Sequence, residues 1–190
     1  YLHKTVLSAE NMLIQILIRA KYLYENSKKI YLSPDLKRFF KNSFSFDDFI
    51  KDDSILENFS RIDDYEIYAC LKYWIKNEDF VLSNLSQKIL ERDILKIRIQ
   101  KTKFNKKIIS EYRSNMMKKE NINLNESKYF IFSDKVSNSL YSIHESNIKI
   151  LFKDGNIKDL SYSSDQFNLK VLAKTINKYF LCSPSEYIVE

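Results

Sequence analysis

The sequence predicts an α+β chain, with a mainly helical lobe over residues 1–91 followed by a small α+β lobe over residues 92–190. Three observations predict it. Up to about Glu91 the apolar residues recur at the three- and four-residue steps of helix faces. From Ile94 to Ile99 they alternate, as in a strand. Asp154-Gly155 then follows the alternation of Ile148, Ile150 and Phe152 with Lys149, Leu151 and Lys153, and marks a hairpin.

The first helix is expected over Tyr1–Glu25. Val6, Leu13, Leu17, Ala20 and Tyr24 share a face, and Met12, Ile14, Ile16 and Ile18 widen it until little of the middle suits water. A helix of this kind is expected to be buried. Tyr1 is no initiator methionine and the helical pattern is running by Leu2, so the chain reads as the C-terminal part of something larger.

Ser33-Pro34 offers an N-cap and a first-turn proline for a short helix through Leu36, Phe39 and Phe40. Phe44, Phe46 and Phe49 are expected as core plugs in a loop leading to a helical turn. Asp63 and Glu66 have capping-box spacing, with Ile62 and Ile67 as the staple. The helix that follows should run to about Lys76, with Ile67, Cys70, Leu71 and Trp74 inward. Another is expected from about Asp79 to Glu91, and one over Lys106–Asn121 on Ile108, Ile109, Tyr112 and Met116. Lys128–Phe132 reads as a strand. Ser164 or Asp165 is expected to cap a last helix through Leu169, Leu172, Ile176 and Phe180, ended by Ser183-Pro184.

Composition removes several function classes. The single glycine, Gly155, leaves no glycine-rich phosphate loop, so phosphates must be met by side chains or helix N-termini. Met12–Ile18 is far short of the roughly 20 apolar residues that span a bilayer, so no membrane partner is expected. Cys70 and Cys182 lack zinc-site spacing and read as reduced thiols of a cytoplasmic protein. His3 and His144 stand apart from each other and from any metal-ligand pattern. The chain is therefore expected to contain no metal site, no bound cofactor and no catalytic residue of its own. Lys101–Lys119 holds seven basic residues against one acid, Glu111. It is either a polyanion-binding patch or a solvated helix face.

Three motifs occur in order: Tyr1-Leu2-His3-Lys4-Thr5-Val6, Ile62-Asp63-Asp64-Tyr65-Glu66-Ile67-Tyr68 and Leu90-Glu91-Arg92-Asp93-Ile94-Leu95-Lys96. Together they resemble the C-terminal half of the HD-domain deoxynucleoside triphosphate triphosphohydrolases. That family includes bacterial dGTPase-like proteins and the human enzyme with a sterile-alpha-motif domain. The resemblance implies metal-dependent attack of water at the α-phosphorus of a dNTP, releasing nucleoside and tripolyphosphate. It also implies a divalent metal ion held outside this chain, and a homo-oligomer. By the same resemblance Tyr1 packs on the substrate sugar, and Leu2 stands where the human-type enzyme has a glutamine near the base. His3, Lys4, Arg92 and Lys96 match positions that bind an activating nucleotide, and Asp93 replaces a neutral residue among them. From the residues alone, Lys4 at a helix N-terminus favours an anion, and Arg92 with Lys96 would lie one turn apart if the helix continued. The alternative is a non-catalytic module that uses its basic segment on nucleic acid or a partner protein.

Overall fold

The computed structural model describes residues 3–138, 149–159 and 176–187. Its helices are α1 (Lys4–Glu25), α2 (Pro34–Lys41), α3 (Phe46–Lys51), α4 (Asp53–Arg61), α5 (Asp64–Trp74), α6 (Phe80–Leu90), α7 (Lys106–Glu120) and α8 (Leu124–Phe130). Its strands are β1 (Lys96–Gln100), β2 (Phe132–Asn138), β3 (Lys149–Leu151), β4 (Ile157–Asp159) and β5 (Ile176–Ser183), with a short 3-10 helix at Ser185–Tyr187. β5 lies between β1 and β2, antiparallel to both, so that Ile97 and Phe132 flank Cys182. β3 and β4 form a separate hairpin. The class is α+β, and one cluster of buried side chains runs from Met12 on α1 to Tyr187.

Local chemistry accounts for most helix starts. Ser33 Oγ accepts from the Leu36 N–H at 3.4 Å, Asp63 Oδ1 from Glu66 at 2.9 Å and Asp79 Oδ1 from Leu82 at 2.9 Å. The expected box at Asp63 is only half made. Its own N–H donates to the Arg61 carbonyl, and Glu66 Oε2 is buried without a partner.

The α1 face is rotated from the one that apolar content picks out. Met12, Ile16 and Ala20 are fully buried together with Ser8, while Ile14 and Ile18 are each 49% exposed. Val6 and Tyr22 are exposed as well, and Leu13, Leu17 and Tyr24 are half-buried. The helix is therefore not buried all round. Two polar residues of its inner face, Ser8 and Arg19, have partners there, which makes their burial tolerable and turns the face that way.

Four further differences have physical reasons. Phe46 is 79% exposed, because it opens α3 rather than plugging the core; Phe44 and Phe49 instead join Phe39 and Phe59 in an edge-packed ring cluster. Asp52 caps a helix, α4, that the sequence reading passed over. Lys128–Phe130 lies in a helix and the strand starts only at Phe132, because Asn123 and Glu126 complete a capping box that starts α8. Ile176 and Phe180 lie on β5, whose backbone pairs on both sides with strands, so the expected last helix does not extend there. Leu169, Leu172, Ser164 and Asp165 fall outside the described residues.

The lone glycine turns the β3–β4 hairpin at φ +82°. Helix ends must then reverse without glycine, and Ser27, Arg92 and Asn121 adopt φ of 55°, 60° and 52°. At each, the next N–H closes back onto the helix: Lys28 to Leu23 (2.9 Å), Asp93 to Lys88 (2.9 Å) and Ile122 to Met117 (3.3 Å).

Burial on α1 yields a graded expectation. Ile16→Ala should lower stability by about 2–5 kcal/mol, and Leu17→Ala by clearly less. Urea unfolding followed through the fluorescence of Trp74, the sole tryptophan and fully buried, measures both. Equal losses would contradict this orientation of the helix.

Candidate functional site

His3 is the N-cap of α1, with extended backbone and no capping hydrogen bond from its side chain, and Lys4 is the first helical residue; both are exposed. No acid stands in the first turn, so the positive end of the helix dipole has no compensating carboxylate on α1. One turn further on, Ser8 Oγ donates to the Leu95 carbonyl at 2.7 Å, and the Leu95 N–H contacts Met12 Sδ at 3.2 Å. These contacts pin the start of β1 against α1. Lys4 lies one turn before Ser8 on α1, and Lys96 follows Leu95 in β1.

Arg92 and Lys96 are not one helical turn apart. α6 ends at Leu90, Arg92 takes the left-handed position after it, and Lys96 opens β1. Arg92 is the second residue of the five-residue connection between α6 and β1, which Lys96 opens. Asp93, the acid among these cations, is engaged by Lys88 Nζ at 2.6 Å. Arg19, Arg38, Arg61, Arg98 and Arg113 all bind groups within the chain. Among the described residues Arg92 is the arginine whose side chain makes no hydrogen bond or ion pair, and it is exposed. Tyr1, Leu2 and His144 lie outside the described residues.

A second constellation escaped the sequence reading. Arg19 is only 8% exposed. Its Nε and Nη2 donate to the two oxygens of Asp79 at 3.0 and 2.6 Å, Glu126 lies 3.7 Å away, and the Tyr22 and Tyr129 rings flank it with centroids at 5.2 Å. Burial works against the charge, but the Asp79 hydrogen bonds and charge outweigh it, so the pKa of the guanidinium is raised. Arg19, Tyr22, Glu126 and Tyr129 line a cleft of about 710 Å³ between α1 and α8. The signal was a cation in register with Met12, Ile16 and Ala20 on an apolar helix. Nothing local named its distant partner.

The Lys101–Lys119 segment divides its charges. Lys106, Lys107, Lys118 and Lys119 are exposed on α7, whereas Arg113 turns inward, donating twice to the Ile131 carbonyl at 2.9 and 2.6 Å. Burial lowers the Arg113 pKa. Among the described residues no group of three or more His, Cys, Asp or Glu could hold a metal ion, and no helix is long and apolar enough to cross a membrane. Both cysteines are buried; burial pushes the Cys182 thiol up to about 12 and raises Cys70 as well.

This geometry defines an α+β chain whose first helix meets the start of β1 through Ser8 and Leu95. Among solved structures it is similar to a phosphohydrolase from Bacteroides thetaiotaomicron, at 34% sequence identity and a TM-score of 0.79, over 96% of this chain and 45% of that one. The fold is thus like that of part of a phosphohydrolase, and the chain spans less than half of that protein's length. No protein-family model and no curated protein matches the chain.

Two measurements follow from the buried groups. Asp79→Ala strands the Arg19 charge and should cost about 3–5 kcal/mol in urea unfolding, with Arg19→Met less harmful than Asp79→Ala. For Cys182 the folded value of about 12 lies above the ordinary 9.0, so its contribution to stability is complete below pH 9 and declines as pH rises towards 12. The stability difference between wild type and Cys182→Ala should shrink across that window, and a thiol reagent at pH 8 should label neither cysteine until urea unfolds the chain. Rapid native labelling of Cys182 would show that the thiol is accessible.

Proposed function

We propose that this chain is the C-terminal portion of a metal-dependent phosphohydrolase that acts on dNTPs or related nucleotides and releases nucleoside and tripolyphosphate. The observation that carries the reading is the 34% identity with a phosphohydrolase over 96% of the chain. Tyr1 and Leu2 supply part of the substrate wall, with Tyr1 against the sugar. His3, Lys4, Arg92 and Lys96 hold the phosphates of an activating nucleotide. Support for their role comes from the meeting of α1 and β1 through Ser8 and Leu95, the uncompensated helix N-terminus at Lys4, and the unpartnered Arg92 side chain.

The divalent ion that activates water belongs to the rest of the protein, and the work of this chain is to bind and orient anionic ligand. The complete protein is cytoplasmic and homo-oligomeric in this reading. A second reading, a non-catalytic module for nucleic acid or a partner protein, is favoured by the exposed lysines of α7.

Activity assays on the complete protein separate the two. Each dNTP with manganese should yield tripolyphosphate, whereas the 190-residue chain alone should yield none. Arg92→Gly suits the left-handed backbone, so it should fold as well as wild type yet weaken nucleotide activation at least tenfold, as should Lys96→Glu. Full activation in both variants would remove these residues from the site. Nucleic-acid binding that falls steeply with salt and is lost in Lys106→Glu/Lys107→Glu, without any dNTP hydrolysis, would favour the second reading.

A further inference from the structure

A second cleft, of about 520 Å³, opens on the other side of Asp79, between the end of α1 and the end of α5. Its size is in the usual range for small-molecule sites, about 300–1,000 Å³. Three lysines line it, Lys28 and Lys29 from the loop after α1 and Lys76 from the turn after α5. Two tyrosine rings line it as well, Tyr31 and Tyr73, stacked with centroids 3.9 Å apart and planes at 24°. Both rings are solvent-accessible, at 43% and 58% exposure.

The walls are held by the backbone rather than by chance contact. Trp74 Nε1 donates to the Tyr31 carbonyl at 2.7 Å. Asn77 Nδ2 donates to the Lys29 carbonyl at 3.1 Å, and Asn77 Oδ1 accepts from the Asp79 N–H at 2.9 Å. The loop is fixed at its root by the Lys28 N–H closing on the Leu23 carbonyl. Of the two acids at the rim, Asp79 is engaged by Arg19, which leaves Glu78 alone against three ammonium groups.

We propose that this cleft binds a nucleoside phosphate, with the base stacked on an outer face of the Tyr31–Tyr73 pair and the phosphates among Lys28, Lys29 and Lys76. The stacked pair offers a wide, rigid π-surface that accepts any base, and the lysines supply charge without a fixed fork, which suits a flexible phosphate chain. Neither element alone specifies this ligand; an aromatic stack and a cationic rim on one held cleft do. The site includes none of Lys4, Arg92 and Lys96 and does not rest on the activity proposed above.

Calorimetric titration of the 190-residue chain without divalent ions tests it, with ATP, inorganic tripolyphosphate and a single-stranded oligonucleotide as probes. Tyr73→Ala alters an exposed ring and Lys28→Glu/Lys76→Glu alters exposed charges, so both variants should fold. ATP should bind, and its affinity should fall about tenfold or more in each variant. Binding of tripolyphosphate should weaken only in the lysine variant. The proposal is overturned if ATP shows no binding at millimolar concentration. It is equally overturned if Tyr73→Ala leaves ATP affinity intact, which would reduce the cleft to a general anion patch. An oligonucleotide that binds far more tightly than ATP, with affinity growing with its length, would assign the face to single-stranded nucleic acid instead.

Discussion

The buried guanidinium of Arg19 is the constraint on which the arrangement of helices turns. A cation at this depth is tolerable only with a full set of partners, and those partners come from three elements. Asp79 comes from the start of α6, Glu126 from α8, and the flanking rings from α1 itself and α8. The Asp79 carboxylate also caps α6, accepting from Leu82, so one residue both begins a helix and fixes it to α1. Moving α6 along α1 by a turn would leave a charge stranded in the core. Hydrophobic contacts among Met12, Ile16, Leu82 and Leu85 tolerate sliding much better, being non-directional. The ion pair therefore contributes register more than net stability. It also stands between the two clefts, with Arg19 lining one and Asp79 the other.

What was legible in the sequence was what is decided locally. Ser33 and Asp63 cap where their spacing says, a helix follows Asp79, the apolar face of α5 is Cys70, Leu71 and Trp74 as its periodicity predicts, and Asp154-Gly155 turns a hairpin. Features decided by distant partners were not legible. The inner face of α1 includes Ser8 and Arg19 because Leu95 and Asp79 wait for them, and no rule based on apolar spacing selects a serine and an arginine over Ile14 and Ile18. Ile176 to Phe180 has a pattern that either a helix or a buried strand can satisfy. Pairing settles it as a strand: β2 pairs along Ile176–Cys182 and β1 along Tyr179–Ser183.

The same division applies to the candidate site. A spacing of four between Arg92 and Lys96 suggested a helical clamp, but a helix that lacks glycine still has to end, and it ends with Arg92 itself in the left-handed region. Ser27 and Asn121 do the same at other helices, so the strained backbone at Arg92 reflects the scarcity of glycine and is no sign of function by itself. Its consequence is geometric. A left-handed residue throws its side chain away from the axis of the helix it closes, and Asp93 then folds back onto Lys88. Arginine and acid that are adjacent in sequence thereby part company, and the cation is left exposed without its neighbour's carboxylate.

Scarce glycine also dictates how this chain can meet a phosphate at all. A cradle of backbone N–H groups needs residues that bring main chain close to the ligand, and Gly155 is committed to a hairpin whose own hydrogen bonds run from Phe152 to Asn156. Side chains must do the work. Arg19 and Arg113 are drawn inward to Asp79 and the Ile131 carbonyl, each donating through two nitrogens of the guanidinium fork, while Arg98 stays exposed and donates once to the Tyr112 hydroxyl. Lysines such as Lys4, Lys28, Lys29, Lys76, Lys96, Lys106 and Lys107 remain at the surface. A ligand approaching from solvent thus meets ammonium groups on flexible stems, which neutralise charge without imposing a geometry. Selectivity has to come from whatever rigid element stands beside the lysines: the α1 N-terminus and Arg92 in one place, and the tyrosine pair in the other.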